Sequence, residues 1–238
     1  MVSFDKIQTD QEYLSQWVLN LYKSPDCQSL VTQAAISRHL RFLEIPDTKP
    51  TRALRVCLCE DDYPGWLAVM DLEKLTLVPH PYHPPALTAR VIQERLSEVI
   101  HFAHTAMARS NTYLWGGTTS PNYDCSGLMQ DAFASAGIML PRDSYQQEAF
   151  AEPVAISDLQ PGDLLFFGNR DRATHVALYL GNGKYIHSSG KDQGRNGIGV
   201  DSITDLSDPV SRAYHKQLRG AGRVSKSYQP TGKPIPCH

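Results

Sequence analysis

Apolar positions follow different spacings on the two sides of a proline-rich stretch, and each spacing predicts its own kind of structure. Upstream, short apolar runs such as Leu54 to Leu58 and Trp66 to Val69 are separated by Asp61-Asp62-Tyr63-Pro64-Gly65. Short runs bounded by turn-forming residues predict strands, so residues 1–78 are read as a small all-β barrel. The stretch from Leu77 to Ala86 then carries four prolines within seven positions. Proline blocks helix and ladder hydrogen bonding alike, and residues 79–87 are read as a linker.

Downstream the period is helical first. Thr88 can cap a helix whose apolar positions Ile92, Leu96, Val99, Ala103 and Ala106 recur at three and four, the stripe of a helix with one buried face, running to about Ser110. A second helical pattern opens at Asp124-Cys125-Ser126-Gly127 and continues through Leu128, Ala132, Phe133 and Ala136, with Gly137 as its stop. The period then becomes two. Asp163 to Phe167, His175 to Leu180 and Tyr185 to Ser188 read as strands, with a fourth around Gly199 to Ile203. Helices followed by sheet make residues 88–224 an α+β domain. Residues 225–238 are read as a flexible tail, and no internal repeat is visible.

Composition narrows the function classes. Of 238 residues, 41% are hydrophobic and 20% charged, which excludes wholesale disorder or a fibrous protein. A net charge of −2 offers no basic face for phosphate neutralisation, so nucleic acid is not expected as a partner. No stretch approaches eighteen apolar residues and the first ten lack a basic segment followed by an apolar one, so no membrane partner and a cytoplasmic location are expected. Five cysteines, at 27, 57, 59, 125 and 237, form no regular framework and suit a reducing compartment. Cys57 and Cys59 share a strand face at a spacing too short for a metal knuckle, and are read as packing residues.

Cys125 is the candidate nucleophile. A helix N-terminus presents unpaired N–H groups and the positive end of the macrodipole, which favours thiolate. The polar turn Asp124, Ser126, Gly127 suits an approaching carbonyl better than a buried apolar face, and its N–H groups can hold an oxyanion. His175 and His187 are the candidate bases near pH 7. They flank the hairpin signal Leu180-Gly181-Asn182-Gly183-Lys184. A two-residue Asn182-Gly183 turn places them on opposite sheet faces, whereas a three-residue loop at Gly181 to Gly183 pairs Leu180 with Lys184 and brings them together. The three-residue loop is therefore predicted; a two-residue turn breaks the arrangement unless another bulge restores the parity.

Tyr113-Leu114-Trp115-Gly116-Gly117, Asp124-Cys125-Ser126-Gly127-Leu128, Leu140-Pro141-Arg142, Pro161-Gly162-Asp163-Leu164, His175-Val176-Ala177 and Tyr185-Ile186-His187 occur in the order seen in NlpC-type bacterial cell-wall cysteine peptidases. Residues 88–224 resemble that family. The N-terminal part more weakly resembles the bacterial SH3-like domains that precede it in cyanobacterial γ-D-glutamyl-L-diamino acid endopeptidases. The resemblance implies a papain-like fold, no cofactor, and hydrolysis of the bond between the γ-carboxyl of D-glutamate and a diamino acid such as meso-diaminopimelate in murein peptides.

Carried over by position, the resemblance makes Cys125 the nucleophile, His175 the base and His187 the third polar residue. Tyr113 then helps hold the oxyanion or the substrate carbonyl. Asp124, Ser126 and Tyr63 hold the free N-terminal L-alanine of the stem peptide L-Ala-γ-D-Glu-diaminopimelate, and Ser144 is a further candidate contact. The pattern leaves open whether the substrate is released murein peptide or intact wall; the expected cytoplasmic location favours released peptide and hence cell-wall recycling. Lys191 and Arg195 are loop cations that could meet substrate carboxylates. His80 with His83, and His101 with His104, have no further ligands completing a metal site. The alternatives are another papain-like amidase or acyltransferase, or a wall-binding module without catalysis. Nothing in the pattern specifies an oligomeric state.

Overall fold

The computed structural model describes residues 2–48 and 52–235, and the chain divides into two units, 1–84 with 228–238, and 85–227. That division falls inside the proline-rich stretch. The tail also divides. Ser227 Oγ accepts the Met139 N–H at 2.9 Å in the second unit, whereas Asp62 in the first accepts the N–H groups of Thr231 and Gly232 at 2.6 and 3.2 Å. The described residues 228–235 thus belong with the first unit. Cys237 lies outside the described residues.

The first unit contains β1 (Glu12–Ser15), β2 (Leu19–Tyr22), β3 (Leu30–Ala34), β4 (His39–Phe42), β5 (Ala53–Leu58), β6 (Pro64–Ala68) and β7 (Leu75–Leu77). They form one antiparallel sheet in the order β3-β2-β6-β5-β4-β1-β7. Its edge strands β3 and β7 do not pair with each other among the described residues, so hydrogen bonding does not close the expected barrel. Alternation places Tyr13, Leu19, Leu21, Leu40, Phe42 and Val56 in one buried cluster, each full burial contributing about 1.5–3 kcal/mol. Cys57 and Cys59 are buried, and no disulfide joins them to another described residue. Tyr63 is buried on the turn between β5 and β6.

The second unit opens with α1 (Ala89–Ala108), where Thr88 Oγ1 accepts the Val91 N–H at 3.4 Å. Its buried residues are the five of the predicted stripe. Then come β8 (Thr118–Thr119), β9 (Asn122–Tyr123), α2 (Cys125–Ser135), α3 (Ser144–Phe150), β10 (Glu152–Val154), β11 (Leu164–Gly168), β12 (Ala173–Gly181), β13 (Lys184–Ser189), β14 (Gly197–Ser202), α4 (Pro209–His215) and β15 (Leu218–Arg223). The larger sheet is antiparallel, ordered β10-β15-β11-β12-β13-β14. Alternation along it feeds two cores. Leu164, Phe166, Val176, Leu178 and Ile186 pack with α1 and α2, while Leu165, Phe167, Ala177, Tyr179 and Tyr185 pack with Tyr214 of α4. Among the described residues no helix is long and apolar enough to cross a membrane.

The β12–β13 hairpin corrects the predicted loop. Gly181 pairs with Lys184, leaving the two-residue turn Asn182-Gly183, and both turn residues have positive φ, 52° and 74°, as a turn matched to strand twist requires. Side-chain parity survives because Leu180 is bulged out: the next pairs are Tyr179 with Tyr185 and Leu178 with Ile186. Continued one step, that register sets His187 across from Ala177. The predicted meeting of the histidines is reached through a different turn.

Candidate functional site

Cys125 is the first residue of α2, and Asp124 caps that helix by accepting the Gly127 N–H at 2.7 Å. Gly127 serves closeness rather than open access. A Cβ there would lie 2.0 Å from the Gly117 carbonyl oxygen, and that same oxygen accepts the Asp124 N–H at 3.0 Å. The Trp-Gly-Gly loop is thereby pressed onto the helix terminus.

The buried Cys125 thiol is acted on from both directions. Burial, with the Asp124 charge beside it, pushes its pKa up to about 12, while the N–H groups of Val176 and Ser126 and the Arg142 guanidinium favour the thiolate less strongly. The helix terminus alone therefore does not ionise this thiol. Val176 follows His175, so its N–H joins the sulfur to the strand that carries the candidate base. Ser188 Oγ, next to His187, donates to the Tyr123 carbonyl at 2.7 Å and ties β13 to the entry of α2.

The two histidines meet directly. His175 Nε2 lies 2.7 Å from His187 Nδ1, and His187 Nε2 lies 2.7 Å from Asp201 Oδ2 on β14. Arg195 grips the same carboxylate, with Nε donating to Oδ2 at 2.7 Å and Nη2 to Oδ1, and Ser211 Oγ donates to Oδ1 at 3.1 Å. Both rings are buried and walled by aromatics. Tyr214 stands 4.5 Å from His175 and 4.8 Å from His187 between ring centres, with Phe167 against the first and Tyr185 against the second. Burial holds both imidazoles below their ordinary pKa, His175 further assisted by His187; the Asp201 carboxylate, despite its burial, is held low by Arg195 and His187.

A second buried charge cluster lies at the helix terminus. Arg142 is 1% exposed. It donates to Asp124 Oδ2 at 2.5 Å, to Asp124 Oδ1 at 3.2 Å and to Ser126 Oγ at 2.9 Å. Asp124 also accepts the Gly116 N–H at 2.9 Å and the Ser126 hydroxyl at 3.3 Å. Tyr113 is half-buried, and its hydroxyl pKa is raised by burial and by the neighbouring Cys125 and Asp124. Ser144 opens α3 and donates to the Ala173 carbonyl at 3.3 Å, at the start of the His175 strand. Tyr63 belongs to the other unit.

Sequence reasoning thus named Cys125, His175 and His187, and the structure builds them into one neighbourhood. It missed Asp201 and Tyr214, and named Arg142 only within the Leu140-Pro141-Arg142 motif, without a role. Asp201 does lie in the stretch from Gly199 read as a strand, two positions from its start and therefore on a single face of it, but an aspartate on a short strand reads as a solvated position. Arg195, considered as a substrate contact, spends its fork on Asp201. Among the described residues no three His, Cys, Asp or Glu side chains are grouped as metal ligands would be.

Residues 110–221 match the NlpC/P60 family, and residues 21–72 match the bacterial dipeptidyl-peptidase SH3 domain. Over 77 residues the chain is 48% identical to a probable endopeptidase of Mycobacterium tuberculosis, covering 32% of this chain and 20% of that protein. Over 109 residues it is 42% identical to the gamma-D-glutamyl-L-lysine dipeptidyl-peptidase of Bacillus subtilis, covering 44% of this chain and 34% of that one. The chain therefore spans a fifth to a third of the length of these relatives. A solved NlpC/P60 family protein from Bacillus cereus superposes with a TM-score of 0.49 at 25% identity, over 93% of this chain and 66% of that one.

Proposed function

Since the chain carries an NlpC/P60 domain of papain-like α+β fold behind a bacterial dipeptidyl-peptidase SH3 domain, we propose that it is a cysteine peptidase cleaving murein stem peptides between γ-D-glutamate and a diamino acid. The observation that carries this reading is the unbroken run of short contacts from His175 through His187 to Asp201, beside Cys125 at a helix N-terminus.

In this reading the Cys125 sulfur attacks the γ-glutamyl carbonyl as its proton passes to His175, which later returns a proton to the leaving amine. His187 orients His175 as the third member of a triad does. Tyr113 and the N–H groups at the start of α2 hold the oxyanion. A thiol with its pKa near 12 beside an imidazole held below its ordinary value makes the resting pair neutral, so proton transfer accompanies attack. Alkylation of Cys125 by iodoacetamide should then quicken about tenfold per unit between pH 7 and 9; a rate already flat across that range contradicts the neutral pair.

The preferred substrate is L-Ala-γ-D-Glu-diaminopimelate with a free amine, with Asp124, Ser126 and Ser144 as its contacts. An ammonium arriving at Asp124 has to share oxygens that already accept five hydrogen bonds, which makes the amine the sharpest point to test. Mass spectrometry on the free and N-acetylated peptides, and on the lysine analogue named for the Bacillus subtilis relative, decides it. Cleavage confined to free-amine peptides, lost in Cys125→Ala, supports the reading. Cleavage of none of them, or retained activity in Cys125→Ala, removes it. A cytoplasmic recycling role belongs to the same proposal; no disulfide joins the four described cysteines, as a reducing compartment favours. Recovery of the native protein outside the cytoplasm contradicts that part.

A further inference from the structure

The histidine pair ends on a carboxylate that an arginine also holds, and this arrangement constrains every proton between Asp201 and Cys125. An ionised carboxylate only accepts hydrogen bonds. His187 Nε2, at 2.7 Å from Asp201 Oδ2, therefore carries its proton there. A neutral imidazole has one N–H, so His187 Nδ1 is an acceptor, and its partner at 2.7 Å, His175 Nε2, must donate. His175 is then left with its lone pair on Nδ1, the nitrogen available to the Cys125 thiol. A carboxylate two rings away thus decides which atom of His175 can take a proton.

The same logic shows how the arrangement fails. If His187 took a second proton, both Nδ1–H and Nε2–H would donate. His175 would have to turn its lone pair toward His187 and its own N–H toward Cys125, and no base would face the sulfur. A lone carboxylate buried against an imidazole invites that proton. Here Arg195 occupies Asp201 with two hydrogen bonds and Ser211 adds a third. The other groups facing His187 are His175 on β12, Tyr185 on its own strand and Tyr214 on α4, with Asp208, the cap of α4, nearer Arg195.

We propose that Asp201 and Arg195 are positioning residues that set the tautomers of both histidines, Asp201 by holding the His187 Nε2 proton and Arg195 by keeping His187 neutral. During attack the Cys125 proton moves to His175 Nδ1, giving an imidazolium that still donates from Nε2 to His187. Asp201 stays ionised throughout. Arg195 opposes the pull of Asp201 on the His187 proton, in line with its effect on that ring.

The inference rests on the proposed triad, and its tests separate the two. Long-range proton–nitrogen NMR on the resting, full-length protein at pH 7 should show both histidines protonated at Nε2 and bare at Nδ1. A His187 proton on Nδ1 overturns the inference without reference to any substrate. With the murein peptide, Asp201→Asn should lower kcat by roughly 10²- to 10⁴-fold, the range of a misplaced general base, with KM within a few-fold. Arg195→Met should move the acid limb of the kcat/KM profile up by about one unit, and Arg195→Lys by less. An acid limb in Arg195→Met that coincides with the parent overturns the role of Arg195. Should Asp201→Asn fail to fold by circular dichroism, Arg195→Met still decides, because that side chain is 29% exposed at the surface. If the parent protein cleaves no murein peptide, the proposed function falls, while the NMR result alone upholds or overturns the tautomer assignment.

Discussion

Asp124 and Asp201 are two buried aspartates, each held by an arginine fork, at opposite ends of the candidate site. They differ in what stands beside them. Asp124 is held by a fully buried arginine, a hydroxyl and two backbone N–H groups, none of which titrates near neutrality. Asp201 has an imidazole on one side and an arginine partly open to water on the other. Removing the arginine therefore has different outcomes. At Asp124 the remaining hydroxyl and N–H donors offset only part of the stranded charge and no neighbouring imidazole can take a proton, so the cost falls on folding. At Asp201 the neighbouring histidine can take a proton, so the cost falls on the protonation state of the site. The first pair acts as structure and the second as control.

That contrast can be broken by experiment. Arg142→Met should destabilise the protein by about 3–5 kcal/mol, as loss of one partner of a buried pair does. Denaturant unfolding that reads below about 1 kcal/mol erases the distinction from Arg195. Gly127→Ala, which puts a methyl 2.0 Å from the Gly117 carbonyl oxygen, should cost about 1–3 kcal/mol by overpacking the Asp124 end. A neutral result in the same unfolding assay means that the loop can move away freely.

The pH dependence of stability tests the Asp201 end. Both histidines have lowered folded pKa values relative to 6.5. Below 6.5 the unfolded chain binds protons that the buried rings refuse, so stability falls as pH drops from 6.5 toward the folded values, at up to about 1.4 kcal/mol per unit for each ring. Asp201 behaves otherwise: its folded value is depressed, so its contribution is present above 3.8 and is lost only as pH falls through that depressed value. Thermal melts from pH 7 to 5 should show a declining Tm, and His175→Asn should flatten the slope by about half. A slope unaltered in that variant assigns the protons elsewhere. The smallest effect should come from Ser211→Ala, which removes one hydrogen bond to Asp201 and should cost about 0.5–1.5 kcal/mol; a larger loss by calorimetry makes Ser211 a principal support of that carboxylate.

Local periodicity made much of the second unit legible. The stripe of α1, the opening of α2 at Asp124-Cys125, the stop at Gly137 and the strands carrying His175 and His187 all follow from spacings within a few residues. Cys125 was recognisable because a helix terminus is a local feature with a known electrostatic consequence. Its ionisation was not, because burial depends on everything packed around it, and burial outweighs the helix terminus here. Gly181, Asn182 and Gly183 can each adopt positive φ, so the local chemistry permits both a two- and a three-residue loop. Only pairing with a whole strand chose the shorter turn and displaced the irregularity to Leu180. Neither Arg142, quoted only within a motif, nor Asp201 shows its partner along the chain. They became a buried pair and the anchor of a histidine relay because folding brought Asp124 to the first and His187 to the second, across 18 and 14 positions, and a charge finds its partner through tertiary contact rather than through spacing.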